Sequence, residues 1–301
     1  MAWTFYELRF RLLSPLHIGH QKIGNIQRTR HYVPARVLWG ALTARLTRDA
    51  AARSLADVSE GDYIAMGDLV KRQLAFSYFF PTDENLQPIY PGYDEQGLKY
   101  ASGQSCLTPE VFAWRYLSSY AATALNYERN AAEDASLHEV EFLSPHSRFD
   151  NASHPVHLLG YAIAAAGCKL PWPILTTALQ EIQIGGERRY GWGRLRLDRA
   201  EEHGRGEAVL FGQLHCDAKT EARPELIAQN NETLLAHTAA TGIAARGEIE
   251  PLVGRVWEQN KGAGQTVEFT DVCYALGAKL EGSRTFEMTA THIWRAKSPQ
   301  P

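Results

Sequence analysis

Polar and apolar positions alternate from the start of the chain. In Trp3–Leu13, Phe5, Leu8, Phe10 and Leu12 sit among polar residues, with one shift near Glu7. A period of two predicts a first strand. Ser14-Pro15-Leu16-His17-Ile18-Gly19 ends it, because Pro and Gly interrupt regular structure. Pro34 suits a helix start, and Val37, Leu38, Ala41, Leu42 and Leu46 form the apolar stripe of a first helix. Gly40 lies inside that helix at a cost of about 1 kcal/mol against Ala, which marks close packing or close ligand approach. Ala50–Arg72 is polar with helical tendency, and Gln73–Phe80 reads as a strand stopped by Pro81.

Thr82–Thr108 is rich in Pro, Gly, Asp and Tyr and reads as a long loop or insertion. Pro109–Thr123 carries a helical stripe. Ala124–Asn130 and Leu137–Leu143 read as two strands around the acidic turn Ala131–Ser136. Val156–Ala166 and Trp172–Gln180 are apolar and read as helix segments split by Gly167 and Pro171. A glycine-rich stretch, 184–194, precedes a strand at Arg194–Asp198. The charged Arg199–Gly206 is a candidate boundary, and beyond it Ala208–Cys216, Glu248–Asn260, Gln265–Leu276 and Arg284–Trp294 are strand-like. The tail Lys297–Pro301 is expected to be mobile.

The order β–α–β–β–α–β between Trp3 and Asp198 matches an α+β ferredoxin-like (RRM-like) fold. This requires an insertion, placed near 81–122. The expected layout is a domain at 1–200 and a second, smaller α+β lobe at 201–301.

Composition narrows the function classes. Lys and Arg total 31 against 34 Asp and Glu, a net charge of −3 over 301 residues. That argues against non-specific coating of nucleic acid but allows a local basic groove. No apolar run approaches the roughly 20 residues of a membrane span, and Met1–Phe10 contains Glu7 and Arg9 and no secretion signal. Cys106, Cys168, Cys216 and Cys273 are scattered without a CxxC pair. Neither a zinc knuckle nor a disulfide framework is indicated, and a reducing cytoplasm is the expected location.

The chemistry concentrates in Gln183–Leu197. Gly185, Gly186, Gly191 and Gly193 are interleaved with Arg188, Arg189, Tyr190 and Trp192, and Arg194 follows. Glycine lets backbone and ligand approach closely, successive N–H groups bind anions, guanidinium forks match phosphates and aromatic rings stack on bases. This reads as a loop gripping an RNA backbone; a hairpin with solvated arginines is the alternative. Tyr190 suits stacking, whereas Trp192 suits stacking or plugging the core equally.

Upstream, Lys22, Arg28, Arg30, Arg36 and Arg45 are candidate phosphate ligands, with Arg246 and Arg255 as weaker ones. Arg36 at a helix start is disfavoured by the helix dipole, which slightly favours a ligand role. His17, His20 and His31 cluster around the first loop. Imidazole titrates near neutrality, so His17 and His20, assisted by Tyr32 or Lys22, could form an acid–base pair for metal-independent RNA cleavage. The competing reading is that His17 closes the strand turn and His20 hydrogen-bonds RNA or water. No third ligand accompanies them to make a metal site. Asp49 and Asp83 are the carboxylates open to a metal-assisted alternative.

Three motifs, in order, resemble the repeat-associated mysterious proteins (RAMPs) of CRISPR–Cas systems. They are the opening strand followed by Ser14–Gly19, the helix start Val33-Pro34-Ala35-Arg36-Val37-Leu38-Trp39-Gly40-Ala41-Leu42, and the loop Ile184–Arg194. Asn126–Phe142 is similar to the family's paired strands. Trp39 stands where the family often has Lys. Repeat-cleaving members carry the loop near the C-terminus. Here about 100 residues follow it, a second small domain's worth, as in the subunit that caps the 5′ handle of the guide RNA in type III complexes, the fifth Cas family. The resemblance implies an RNA-binding, non-enzymatic subunit acting in antiviral defence. Its implied partners are crRNA, the large subunit and the backbone RAMP subunits, with target RNA contacted indirectly. No cofactor, metal or membrane is implied. A crRNA-processing endoribonuclease using His17 and His20, or a backbone subunit cleaving target RNA, are the alternatives.

Overall fold

The structure, a computed structural model, describes residues 2–55, 57–103, 105–149, 152–258 and 262–297. Residues 259 and 260 of the expected Glu248–Asn260 strand, and 298–301 of the tail, lie outside these.

The alternating segment at the start forms Thr4–Leu12, the middle of the central sheet. Phe5, Leu8, Phe10 and Leu12 are buried, as their period requires. On one edge this strand pairs antiparallel with His157–Ala164, from Thr4 opposite Ala164 to Arg11 opposite His157. On the other it pairs antiparallel with Arg194–Arg205, Leu12 lying opposite Leu195. Leu74–Phe76 and Phe80–Pro81 extend the sheet beyond His157–Ala164. Glu181–Gln183 extends it beyond Arg194–Arg205.

Two helices follow the first strand, Ala35–Ser54 and Glu60–Gln73. The first buries Leu38, Leu42 and Leu46 of the expected stripe, joined by Thr43 and Thr47. The second opens with a capping box, in which the Asp62 N–H donates to the Ser59 hydroxyl and the Ser59 N–H to the Asp62 carboxylate. A Cβ at Gly40 would meet nothing within 4 Å, so close packing does not explain this glycine. Gly67 takes that role, where a Cβ would come within 3.2 Å of the Trp39 ring. The short helix Trp172–Leu179 precedes the glycine-rich stretch.

Four sequence expectations are corrected. Val156–Ala166 is not a helix but the strand His157–Ala164, buried along nearly its whole length. A short continuous apolar run carries no periodicity to separate the two. Thr82–Thr108 is not an irregular loop, since Tyr90–Asp94, Gly97–Ser102 and Ser105–Leu107 form a three-stranded sheet. The helix at Pro109 stops at Tyr116, because Leu117–Ala122 pairs antiparallel with His138–Leu143. Among the described residues of 201–297 there is no α-helix, so the expected lobe there lacks its helical component.

The C-terminal third forms an eight-stranded sheet. Its order is Glu207–Leu210, Leu214–Asp217, Glu225–Ala228, Arg284–Met288, Trp294–Ala296, Thr238–Ala239, Gly262–Tyr274 and Ile249–Glu258. Arg199–Gly206, the candidate boundary, largely falls within the twelve-residue strand Arg194–Arg205. One hydrophobic cluster joins Phe5, Phe10 and Leu38 to Leu210, Leu214, Phe286 and Trp294. Phe211 sets its ring edge-on against Phe80 and Tyr161, with centroids 5.2 and 4.9 Å apart.

Candidate nucleic-acid interface

The glycine-rich stretch is a closed excursion from the central sheet. Gln183 pairs with Arg194 at its neck, and the Ile184 N–H donates to the Gly193 carbonyl at 2.9 Å. Gly193 has φ +75°, and a Cβ there would fall 1.8 Å from the Ile184 oxygen, so only glycine fits. The Gln183 amide donates to the carbonyls of Arg188 and Trp192, at 2.9 and 2.8 Å, and staples the loop across its width. Within it Arg188–Tyr190 makes a single 3₁₀ turn.

The loop is docked on the segment that ends the first strand. The Gly193 N–H donates to the Pro15 carbonyl at 2.7 Å, the Gly186 N–H to the His17 carbonyl at 2.8 Å, and the Arg194 N–H to the Ser14 hydroxyl at 2.9 Å. A Cβ on Gly185 would lie 2.4 Å from the His17 oxygen. The close approach that Gly185 and Gly186 permit is therefore to His17. His17 is 5% exposed, and its Nδ1 lies 2.7 Å from the Glu141 carbonyl. A carbonyl only accepts, so Nδ1 carries the proton.

This docking places Arg188, Arg189 and Arg194 across from the first helix. Together with Arg45 and Arg48 they line a cavity of about 770 Å³, with Asp49 and Glu181 as its two carboxylates. Arg45 Nε donates to both Asp49 oxygens at 2.9 and 3.0 Å, and its NH1 donates to the Glu181 carbonyl at 3.1 Å. Arg48 Nε donates to the Ala44 carbonyl at 3.0 Å. Arg194 lies 3.9 Å from Glu181. The guanidinium groups of Arg188 and Arg189 have no carboxylate partner among the described residues. Five guanidiniums against two carboxylates leave an excess of positive charge, suited to the phosphate groups of a polyanion. Tyr190, next in the chain after Arg189, is 80% exposed and is not part of the cavity lining. Trp192 instead sets its ring edge-on against Phe142 at 4.9 Å and Tyr120 at 6.4 Å, which ties the loop to the Leu117–Ala122 and His138–Leu143 strands.

The other candidates lie elsewhere. Arg28 pairs with Glu141 at 2.5 Å, whose carboxyl burial pushes up. Arg36 reaches Glu268 at 3.4 Å. Arg30 is 12% exposed and pairs with Glu250. His20 lies 4.0 Å from Glu250, and burial, with Arg30 adding, lowers its pKa. His31 meets the Tyr100 hydroxyl at 2.5 Å, and burial pushes it down to about 4. Lys22 is exposed on the strand Gly19–Ile23. The Tyr32 hydroxyl accepts from Arg30 at 2.7 Å. Asp83 accepts from the Asn85 and Gln87 N–H groups in a turn. Arg246 pairs with Glu281 at 2.7 Å, and Arg255 lies on the Ile249–Glu258 strand. Among the described residues no group of three or more His, Cys, Asp or Glu is placed to hold a metal ion, and no helix is long and apolar enough to cross a membrane.

Arg48 was not among the site candidates. Its signal was present, because Ala41, Ala44, Arg45 and Arg48 follow the i, i+3, i+4, i+7 spacing of one helix face. His237, fully buried against Glu250 and Tyr78, gave no comparable pattern.

No curated protein matches the sequence. Two cryo-EM structures of the type III-B Cmr-beta complex contain chains of similar fold. One is bound to cognate target RNA and AMPPnP, the other to cognate target RNA. Each similar chain gives a TM-score of 0.51 at 10% identity over 91% of this chain, and over 85% and 86% of its own length. The model of the RAMP superfamily matches residues 9–196, from the first strand through the glycine-rich loop. That span is well over half of the sequence and holds the three motifs in order, so the chain belongs to the RAMP superfamily.

Proposed function

We propose that this chain is the RNA-binding subunit of a type III-like CRISPR ribonucleoprotein effector in the cytoplasm, where it caps the 5′ handle of the crRNA and bridges the large and backbone subunits. The observation that carries the reading is the cavity in which Arg45 and Arg48 of one helix meet Arg188, Arg189 and Arg194 of the loop. Similar folds in type III-B Cmr-beta complexes bound to target RNA support membership of such an assembly. The sheet order Arg194–Arg205, Thr4–Leu12, His157–Ala164, Leu74–Phe76 is antiparallel throughout, with helices after the first and third strands in sequence. It supports a ferredoxin-like domain at 1–200, with the sheet from Glu207 onward as the second lobe.

The subunit binds without cleaving. His17 is buried and turned to the Glu141 carbonyl, which supports a positioning role beneath the loop over acid–base chemistry. The test is to incubate the protein with repeat RNA, handle-bearing guide RNA and a guide–target duplex, with and without EDTA. The expected outcome is tight handle binding with all RNAs intact, and binding about a hundredfold weaker in Arg188→Ala/Arg189→Ala, from two charged hydrogen bonds. Repeat cleavage that ignores EDTA would assign the endoribonuclease role to His17 and His20. EDTA-sensitive target cleavage would assign the backbone role. Unchanged affinity of the double variant would make the loop a structural hairpin.

A further inference from the structure

A second cavity, of about 480 Å³, opens at the other end of the central sheet. Thr4 lines it, while Leu13 lines the arginine cavity. Nine residue steps of strand, roughly 30 Å, separate the two. Tyr6 and Trp172 both line this second cavity and stack on each other, with centroids 3.4 Å apart and planes 13° apart. Leu175 and Leu170 add apolar wall. Arg205 is the charged residue of the lining, and no Asp or Glu lines it.

Arg205 and Tyr6 are the lightly engaged polar side chains of this lining. The Arg205 side chain is 67% exposed, and Glu202, at 4.0 Å, is its one carboxylate neighbour among the described residues. An exposed pair at that distance holds the guanidinium weakly. The Tyr6 hydroxyl has no hydrogen-bond partner among the described residues, and burial raises its pKa, so it stays a phenol that can donate and accept.

We propose that this cavity binds a nucleotide, with the base against the Tyr6–Trp172 stack and a phosphate on Arg205. The two rings cover each other's inner faces, so the outer face of the stacked pair is what selects a planar ring system. A fork donor at one edge selects an anion attached to that ring system, and the free phenol supplies a polar contact to the base edge. The volume falls within the range of small-ligand sites. Two sources carry this chemistry, a free mononucleotide and an unstacked nucleotide of a single-stranded RNA.

The test titrates the full chain with adenosine monophosphate, uridine monophosphate and a short adenosine oligoribonucleotide, by calorimetry and tryptophan fluorescence. Arg205→Glu, Trp172→Leu and Arg188→Ala/Arg189→Ala are run beside the wild type. Arg205 is exposed, so its variant is expected to keep the wild-type melting curve even if Trp172→Leu does not. Saturable mononucleotide binding, weakened about tenfold or more by Arg205→Glu and unaffected by the loop double variant, establishes a free-nucleotide site. Oligonucleotide binding with the same Arg205 dependence, without mononucleotide binding up to about 1 mM, establishes an RNA-strand site. Binding of either probe that is indifferent to Arg205, or no binding of either, overturns the proposal.

Discussion

Arg30 and Glu250, 220 residues apart, meet in a bidentate pair, NH1 to Oε1 at 3.0 Å and NH2 to Oε2 at 2.8 Å. His237 Nε2 lies 2.6 Å from Glu250 Oε1, and the Tyr78 hydroxyl 2.7 Å from His237 Nδ1. A carboxylate only accepts, so His237 Nε2 carries the hydrogen, and Nδ1 of the neutral ring accepts a hydrogen bond from the Tyr78 hydroxyl. Arg30 NH1 and His237 Nε2, 3.3 Å apart, are then both donors and do not bond each other. The network clamps the C-terminal sheet onto the segment that leads into the first helix. Glu250→Ala strands a buried guanidinium and a buried imidazole, and is expected to cost about 3–5 kcal/mol. Denaturant midpoints at constant m-value measure it. A loss below about 1 kcal/mol would mean that water replaces the carboxylate.

Acid should act on the same region with a definite sign. Burial lowers the pKa of His237, pushes His31 to about 4, with Arg28 and His20 adding, and pushes His292 to about 3, with Arg223, Lys71 and Arg36 adding. A histidine depressed in the folded state contributes stability that is present above its unfolded pKa of about 6.5 and lost as pH falls toward its folded value. Each contributes a slope of about 1.4 kcal/mol per pH unit in that window. Burial opposes ionisation of Glu250, but hydrogen bonds from His237 and Arg30 outweigh it and hold the carboxyl well below the usual range. Its contribution is present above about 4.5 and lost below. Thermal unfolding followed from pH 8 downward should therefore be flat at first, fall below about 6.5 and steepen below about 4.5. His31→Gln should lower the slope between about 6 and 4 by close to one proton. An unchanged slope in that variant would remove His31 from the account.

Two glycines of the loop separate conformation from contact. Gly193→Ala forces a methyl into the Ile184 carbonyl and should open the neck of the loop. Gly191, at φ +82°, has open space where its Cβ would go, so Gly191→Ala should cost only the left-handed strain of about 1–2 kcal/mol. Melting curves and hydrogen exchange at Ile184 compare the two. Equal effects would contradict the geometry at the neck.

Arg48 tests the cavity from its helical side. Its side chain bonds its own helix at Ala44, so Arg48→Ala should leave stability within about 0.5 kcal/mol. Handle RNA affinity should fall about tenfold for one charged hydrogen bond lost, and the salt slope should flatten by about 0.7. Arg36→Ala, paired with Glu268 at the other end of the same helix, is the control and should leave both unchanged. Equal losses from the two would point to a diffuse basic field.

Local chemistry was legible where a short segment decides the outcome. The period of two at Phe5, Leu8, Phe10 and Leu12, the stripe Leu38–Leu42–Leu46 and the glycine spacing of the loop all depend on near neighbours. His157–Ala164 is strand because sheet covers both its edges, which its own apolar run does not encode. The arginines divided for a similar reason. Arg188, Arg189 and Arg194 were readable beside their glycines, and Arg45 from its helix face. Arg28, Arg30 and Arg36 are matched by Glu141, Glu250 and Glu268, each more than a hundred positions away, and no local pattern announces such a pairing.

The central strand Thr4–Leu12 leaves the ribosome well before either of its sheet partners, so both of its edges wait for His157–Ala164 and Arg194–Arg205. At roughly 5–20 residues per second the first of these partners begins to emerge about 7–30 s later and the second later still. During that wait Phe5, Leu8, Phe10 and Leu12 have no sheet to join, and the helices that follow form without their floor. The nascent chain thus carries an unpaired apolar strand until those distant partners are made, and a strand in that state is open to aggregation.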